Sequence, residues 1–212
     1  MEILFVRHGQ TVANTDHRHQ VPEEPLSVEG IKQVRAVVPE VVAWQPTHII
    51  SSPLARAQQS ARIIATAAEL PFTVHDEFRE LRRPFRILGR KHYSLASVLY
   101  IIRWFFHAYV HHTDVQAGES YQSFRKRLER ARSMLEQYPA DARIVIVSHS
   151  IFINFFTFHA CNMERLTFWQ ALPRFFQVVT HKNGRVTQLR YTERQPGVCS
   201  WQAVSEPTTP TT

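Results

Sequence analysis

The sequence predicts an α/β fold, a three-layer α/β/α sandwich with a mostly parallel central sheet and a small helical and loop cap insert. Three short apolar runs, at Ile3–Val6, His48–Ile50 and Arg143–Val147, have the length and composition of buried parallel strands. Helical patterns follow these runs, and such alternation of strand and helix is typical of layered α/β domains. The 212 residues and 44% hydrophobic content suit one domain with a single core.

Charged and imidazole side chains follow each of these runs. Arg7 and His8 come directly after the first, Arg56 opens the helix after the second, and His149 follows the third. Gly9 permits a sharp turn after His8. An Arg-His-Gly triplet alone is more often an ordinary strand end than a site. Because open α/β sheets bind ligands at the carboxyl ends of their strands, however, three such ends together predict a functional site.

The order of the motifs carries a family resemblance. The sequence resembles the histidine phosphatase superfamily, the phosphoglycerate mutase-like group, in these elements: Arg7-His8-Gly9-Gln10-Thr11 with Asn14, Leu26-Ser27 with Gly30, Ser52-Pro53-Leu54 with Arg56-Ala57, Gly118-Glu119-Ser120 and Ser148-His149. These markers cover roughly residues 2–160. Each is weak alone, but their joint occurrence in the family's order is hard to obtain by chance.

The resemblance implies a role for each site residue. His8 is the nucleophile that forms a phosphohistidine, and Arg7 and Arg56 are fixed cationic donors to the phosphoryl oxygens. His149 adds a further positive group when it is protonated. The expected substrate-binding residues are Thr11, Asn14, Ser150, Arg82 and Arg83. Since side chains supply the positive charge, the family pattern needs no metal and no other cofactor.

The resemblance also implies a carboxylic acid that protonates the leaving oxygen. Glu80 fits best, because the family's acid sits at the end of a similar Phe-Arg-Glu segment, and Glu77 is the fallback. Ser150 stands where glycine is common in the family. After Glu80 the chain reads Leu-Arg-Arg-Pro-Phe-Arg, which matches neither the Trp-Glu-Gly run of many small phosphatases nor the Arg-His-Tyr-Gly run of the mutases. The substrate therefore stays open.

The expected cap insert, about residues 79–117, begins with a basic segment. Six cations stand against the single acid Glu80: Arg79, Arg82, Arg83, Arg86, Arg90 and Lys91. This segment is either a solvated basic face or a lid in which one or two arginines bind a second anionic group on the substrate. Pro84 and Gly89 favour a loop.

A helix with a broad apolar face is predicted over residues 95–110, with Val98, Ile101, Ile102, Phe105, Phe106 and Tyr109 on that face. Core or cap packing is the preferred state, and in this superfamily the corresponding insert forms the roof of the pocket. An oligomer contact and a basic, aromatic-rich helix on a membrane surface remain alternatives. A membrane span is not expected, because Arg103 and His107 interrupt a stretch shorter than the ~20 apolar residues required.

The remaining organisation is that of one domain over residues 1–204 and a disordered tail over residues 205–212. A helix is expected from Glu119 to Tyr138 with Tyr121, Phe124, Leu128, Ala131 and Leu135 on its buried face, and another from Ile151 to Cys161. Asn183-Gly184 marks a hairpin between two strands. The pairs His17/His19 and His111/His112 lack the further ligands that a metal site needs.

Charge and cysteine content bound the setting. A net charge of +7 and a pI near 9.8 suit nucleic-acid or anionic membrane partners, but no nucleic-acid motif accompanies them. Cys161 and Cys199 are too few and too isolated for a disulfide framework or a zinc site, so a reducing cytoplasm is expected. The amino terminus enters a strand at once, which leaves no room for a signal peptide.

Together these features predict a metal-independent phosphomonoesterase of the histidine acid phosphatase type. It would act on a small-molecule phosphate ester and release inorganic phosphate, with neither a specific nucleic acid nor a membrane span. The alternatives are a phosphoglycerate-type mutase, a noncatalytic phospholigand-binding module, and nucleic-acid binding through the basic insert. The oligomeric state, a dimer included, stays open.

Overall fold

The computed structural model describes residues 1–106, 118–160, 184, 186–192 and 199–204. The strands are β1 (Glu2–Arg7), β2 (His48–Ser51), β3 (Phe72–Val74), β4 (Arg143–Ser148), β5 (Val186–Tyr191) and β6 (Trp201–Ala203). The helices are α1 (Val12–Thr15), α2 (Val28–Ala43), α3 (Ala55–Ala68), α4 (Leu95–Phe106), α5 (Tyr121–Leu135) and α6 (Ser150–His159).

One mixed, mostly parallel sheet carries the strands in the order β3-β2-β4-β1-β5-β6. Strands β1 to β4 run parallel to one another, whereas β5 is antiparallel to both β1 and β6. The register of β1 against β4 sets Arg7 opposite Ser148. The residues that follow, His8 and His149, therefore leave the same edge of the sheet side by side.

Helices cover the two faces of the sheet, because successive strand side chains point to opposite sides. Ile3 and Phe5 of β1 pack into one apolar cluster with residues of α4, α5 and α6. Leu4 and Val6 pack into a second cluster with α2 and α3. The predicted α/β/α sandwich is confirmed.

The expected helices match the observed ones within a few residues. Arg56 lies in the first turn of α3, as expected, and α5 spans Tyr121–Leu135, inside the predicted range Glu119–Tyr138. All five residues predicted for the buried face of α5 are buried. The helix predicted from Ile151 begins one residue earlier, and of its predicted end the residue Cys161 lies outside the described residues.

Helix α4 confirms packing against the core but corrects the predicted face. Tyr100 and Trp104 are buried, and Trp104 lies edge-on against rings of α5 and α6. Val98 and Ile102, which we expect in the apolar contact, are instead exposed. The pattern is apolar on nearly all sides, so periodicity alone does not select the face that packs. Residues 107–110 of the predicted helix lie outside the described residues.

Several further expectations fall wholly or partly outside the described residues: His111/His112, the hairpin apart from Gly184 and β5, the end of the cap at residues 107–117 and the tail at 205–212. Cys199 is disulfide-bonded, so the expected reducing compartment no longer follows from the cysteines. Across the described residues, no helix combines the length and hydropathy that a bilayer crossing demands.

Candidate active site

His8 lies just past β1 and is only 2% exposed. Its backbone amide continues the pairing with β4 by donating to Ser148 O, and its Nδ1 lies 2.7 Å from Gly9 O. Burial lowers the pKa of His8 well below its usual 6.5, and the neighbouring Arg56 and Arg7 lower it further. The imidazole is therefore neutral at physiological pH. A carbonyl can only accept, so Nδ1 carries the proton and Nε2 keeps a free lone pair.

The turn after His8 depends on two glycines that face each other. A Cβ on Gly9 would lie 2.2 Å from the carbonyl oxygen of Gly30, and one on Gly30 would lie 2.1 Å from the carbonyl oxygen of Gln10. Both contacts are with backbone, which cannot move aside cheaply. Gly9 N also donates to Ser60 Oγ at 3.3 Å. The start of α2 and the loop after β1 thus hold the position of His8.

His149 is fully buried beside His8, with ring centroids 4.9 Å apart and planes inclined by 57°. Its Nε2 lies 2.7 Å from the hydroxyl of Ser52, which follows β2. Burial, followed by the charge of Arg56, lowers the pKa of His149 well below 6.5, so this ring is neutral in the phosphate-free site. Its buried Nδ1 has no hydrogen-bond partner among the described residues. The structural role of Ser52 was not predicted, because no local pattern reveals a contact across 97 residues.

Arg56 and Arg7 bring positive charge to the two histidines. Arg56 stands in the first turn of α3, is 2% exposed, and donates from one terminal nitrogen to Val21 O at 3.1 Å. Arg7 ends β1 and is half-buried. Burial lowers the pKa of each guanidinium from 12.5 to about 10, which the negative charge of Glu80 partly opposes. Both side chains remain cationic at neutral pH.

Glu80 is 7% exposed, and its carboxylate sits at the N-terminus of α6. Oε1 accepts from the amides of Leu81 at 3.0 Å and Phe152 at 3.2 Å, and Oε2 accepts from the amide of Ile151 at 3.3 Å. The carboxylate supplies the cap that His149, the residue before α6, does not provide. A carboxylate has about four lone-pair sites, so Oε2 retains acceptor capacity. The negative charge of Glu80 raises the pKa of Arg7 and Arg56, which places Glu80 at the site. In the described part of the chain, the fallback acid Glu77 has no such effect on either arginine.

A buried ion pair holds the segment that carries Glu80. Arg127 of α5 and Glu119 form two parallel bonds, Nε to Oε1 at 2.9 Å and Nη2 to Oε2 at 2.6 Å. The other terminal nitrogen of Arg127 donates to the carbonyls of Glu77 at 2.9 Å and Arg79 at 2.6 Å. Glu119 also accepts from the amide of Arg82. No role for Arg127 is predicted from the sequence. The signal that could have found it is its position three residues after Phe124, which puts a charged side chain on the buried face of α5.

Thr11 and Asn14 brace the loop after His8. Thr11 caps α1, and its hydroxyl and amide both donate to the side-chain carbonyl of Asn14. Gln20 ties the two together by donating to Thr11 Oγ1 at 2.7 Å and to Asn14 Oδ1 at 3.0 Å. Ser150, the third predicted residue near the strand ends, is buried as the first residue of α6. These contacts give the three residues a place beside the nucleophile loop or in the wall behind it.

Arg82 and Arg83, predicted as a pair, separate. Arg82 is exposed and ion-paired with Asp76. Arg83 is half-buried, and its charge lowers the pKa of Arg56, His19 and His92, which places it at the rim of the site. Within the described ranges Arg83 makes neither a hydrogen bond nor an ion pair. The structure thus brings Arg83 to the site and leaves Arg82 on the surface.

The rim also joins the nucleophile loop to the cap. Residues 17–19 pair backbone to backbone with residues 89–92, and Arg18 and Lys91 form a β-bridge. His19 is buried, with its Nε2 2.9 Å from Ser97 Oγ and its ring 4.6 Å from that of His92. Burial lowers the pKa of His19 to about 2 and that of His92 to about 4. No three His, Cys, Asp or Glu side chains of the described part converge as a metal site would require.

Comparisons with known proteins bear on the family of this chain. The model of the histidine phosphatase superfamily (branch 1) matches residues 3–204. A protein of Enterobacter sp. (strain 638) named probable phosphoglycerate mutase GpmB is 32% identical over 155 residues, which span 71% of this chain and 70% of that protein. The Yersinia pestis (strain Pestoides F) protein of the same name is 30% identical over 161 residues, with the same coverage.

Solved structures share the fold. A putative alpha-ribazole-5'-P phosphatase from Escherichia coli superposes with a TM-score of 0.74 at 22% identity, over 91% of this chain and 92% of that one. A mycobacterial glucosyl-3-phosphoglycerate phosphatase in complex with VO3 gives the same TM-score and identity over 97% and 98%. At this level of identity the likeness concerns the fold.

Proposed function

This chain belongs to the histidine phosphatase superfamily, and from that premise we propose that it is a phosphomonoesterase working through a phosphohistidine at His8. The observation that carries the proposal is the state of His8. It is a neutral imidazole with Nδ1 bound to Gly9 O and Nε2 free, beside the buried guanidinium of Arg56 and that of the half-buried Arg7. The substrate is a small phosphorylated molecule and the products are its alcohol and inorganic phosphate.

In the first step His8 Nε2 attacks phosphorus as the bond to the ester oxygen breaks. The phosphoryl oxygens carry negative charge throughout, and preorganised donors stabilise that charge most effectively in a site with little water. Arg7 and Arg56 supply these donors, and the unpartnered Nδ1 of His149 faces no competing bond in the described part of the protein. Because all the charge comes from side chains, the scheme contains no metal.

Glu80 moves the proton. Its Oε2 has room for one more bond, and a proton held there passes to the departing alkoxide. Water then attacks the phosphohistidine, gives a proton back to Glu80, and breaks the P–N bond to release inorganic phosphate. One carboxyl group serves both half-reactions, and the net change is the hydrolysis of one ester by one water.

The first test is release of inorganic phosphate from p-nitrophenyl phosphate in excess EDTA. We expect turnover in the wild type, none in His8→Ala, and full turnover in His48→Ala, which removes an exposed histidine at the other end of β2. Quenched wild type should also hold acid-labile, base-stable phosphate on His8. Loss of activity with EDTA, or an active His8→Ala, would contradict the proposal. Phosphate binding without turnover would favour a noncatalytic phospholigand module.

A phosphoglycerate mutase is the second candidate, and the names of the bacterial relatives favour it. A mutase must return the phosphoryl group to its substrate before water takes it. The two candidates separate when 3-phosphoglycerate is supplied and both 2-phosphoglycerate and inorganic phosphate are followed. We expect phosphate release to dominate, because the segment after Glu80 lacks the residues that mark the mutases.

A second anionic group on the substrate is the further element of this proposal, and Arg83 is the residue that would bind it. Arg83 is half-buried at the rim with its guanidinium uncommitted among the described residues, whereas Arg82 is already paired with Asp76. For a phosphomonoester that carries a carboxylate, Arg83→Leu should raise KM about tenfold or more. Arg82→Leu is the matched control and should change KM little. If the two variants raised KM equally, the effect would come from the overall positive charge of the basic segment and not from a contact of Arg83 with the substrate.

A further inference from the structure

Helix α4 leaves a stripe of large apolar side chains uncovered. Leu95, Val98, Leu99 and Ile102 recur at intervals of three and four residues, and Leu95 and Leu99 are 74% and 55% exposed. At 100° per residue these four lie on the side of the helix opposite Tyr100 and Trp104, which pack on the core. The stripe therefore faces away from the apolar cluster that holds the helix in place.

Two exposed aromatic side chains belong to the same insert. Phe85 is 76% exposed and Tyr93 is 69% exposed, the latter with the Lys91 ammonium 5.9 Å from its ring centroid. Large apolar side chains that are exposed next to one another, as the four of the stripe are, mark interaction surfaces. We call these six residues, from Phe85 to Ile102, the apolar surface of the cap.

Positive charge is concentrated in the same stretch of chain. Residues 81–106 contain six arginines and lysines and no aspartate or glutamate, so they hold +6 of the formal net charge of +7. Four of these cations are exposed, Arg82, Arg86, Arg90 and Lys91, and of these Arg82 is paired with Asp76 outside the stretch. The rest of the protein is close to neutral. The cap thus combines exposed apolar groups with an unbalanced positive field.

We propose that this surface docks the protein on an anionic lipid bilayer, with the stripe of α4 in the interface and the cations among the headgroups. Exposed apolar groups and basic side chains within one insert are the combination that binds such membranes without crossing them. A second copy of the chain fits less well, because two copies of residues 81–106 that each carry +6 repel one another. A polyanion such as RNA accounts for the cations and leaves the apolar stripe without a role.

The test is co-sedimentation of the full chain with vesicles of phosphatidylcholine, with and without about 30% phosphatidylglycerol. We expect binding only to the anionic vesicles and its loss in high salt. Arg86→Glu/Arg90→Glu should weaken binding by at least about fivefold for each cation changed, since each contributes roughly that factor near an anionic surface. Leu99→Gln/Ile102→Gln should weaken it without altering the net charge.

Matched controls lie on the opposite face of the sheet. Arg35→Glu/Arg62→Glu makes the same charge change on α2 and α3, and Val28→Gln/Val42→Gln removes exposed apolar groups from α2. Both controls should bind like the wild type. Equal weakening by cap and control variants would reduce the effect to net charge and overturn the proposal. So would absence of vesicle binding, self-association abolished by Leu99→Gln/Ile102→Gln, or polyanion binding that this variant leaves intact while vesicle binding is absent.

Discussion

The arginines of this protein fall into two groups that the fold treats in opposite ways. Around the strand ends, Arg56 and Arg127 are each 2% exposed and are held by specific acceptors. In the cap, Arg86 and Arg90 are exposed and make no ion pair within the described residues. Burial of a guanidinium costs free energy unless the group gains a partner. The two buried arginines are therefore tolerated because a neighbouring residue or a bound substrate supplies that partner.

The buried arginines act in the proposed reaction or in holding the fold, whereas the exposed arginines of the cap are available to a partner outside the protein. Arg127 gains its compensation from Glu119, and Arg56 lies where a phosphoryl group would complete its hydrogen bonds. The cap arginines remain hydrated and lose little by standing alone. Substitution should therefore cost stability at Arg127 and activity at Arg56, and it should be nearly neutral for folding at the exposed arginines of the cap.

The largest effect is expected at Arg127. Arg127→Met leaves Glu119 buried without its partner and should lower the free energy of unfolding by about 3–5 kcal/mol in urea denaturation. The exposed Arg130→Met, on the same helix, should change it by less than about 0.5 kcal/mol. The double variant Arg127→Met/Glu119→Gln should recover part of the loss, since no unpaired charge remains. If Arg127→Met were as mild as Arg130→Met, the contrast between buried and exposed arginines would break.

Arg56 tests whether a buried arginine can serve chemistry alone. Arg56→Leu should lower kcat/KM for an aryl phosphate by about a hundredfold to a thousandfold, the usual cost of removing one donor to the transition state. The change should hardly affect thermal stability, because burial of the guanidinium is the largest effect on Arg56 and exceeds the opposing attraction of Glu80. Arg62→Leu, exposed on the next turns of α3, is the control. Equal activity of the two variants would remove Arg56 from the site.

Glu80 sharpens the comparison from the side of negative charge. Glu80→Gln keeps one oxygen to accept from the amides of Leu81 and Phe152, loses the bond from the amide of Ile151, and cannot transfer a proton. The rate should fall about a hundredfold for an alkyl phosphate, whose leaving group needs a proton, and clearly less for p-nitrophenyl phosphate. An equal loss for both substrates would assign Glu80 to structure alone.

The smallest effect is expected at His19, where the cap meets the nucleophile loop. The unfolded chain binds a proton at His19 below about pH 6.5, but burial holds the folded pKa near 2, so stability falls as the pH falls below 6.5. His19→Gln should remove about 1.4 kcal/mol of the loss between about pH 7.5 and about pH 5.5, as measured by urea denaturation at each pH. Exposed His48→Gln should leave the pH dependence unchanged, and a matching reduction there would refute the account.

The sequence was a reliable guide wherever a local rule places a residue. Arg7, His8 and His149 follow apolar strands, and parallel pairing brings the ends of neighbouring strands together whatever the rest of the chain does. The buried face of α5 was also predictable, because only one side of that helix is apolar. The family resemblance assigned roles to these positions before their geometry was known.

Contacts between distant segments were beyond the sequence. Three such contacts join separate elements through the folded core. Ser52 is hydrogen-bonded to His149, the Glu80 carboxylate accepts from amides of α6, and Arg127 donates to backbone carbonyls of residues 77–80. The prediction of the buried face of α4 was wrong for a different reason. Since it is apolar nearly all round, its orientation is chosen by the partners of Tyr100 and Trp104, and no periodicity records that choice.

The mutual contact of Gly9 and Gly30 limits how this protein can evolve. A side chain on Gly9 would meet the backbone of Gly30, and one on Gly30 would meet the backbone of Gln10, so a substitution at either position clashes with main chain that a second side-chain change cannot move aside. Single substitutions are therefore not tolerated at either position. Laboratory libraries that seek new substrates should hold both glycines constant and diversify the exposed positions of the cap, where sequence change carries little structural penalty.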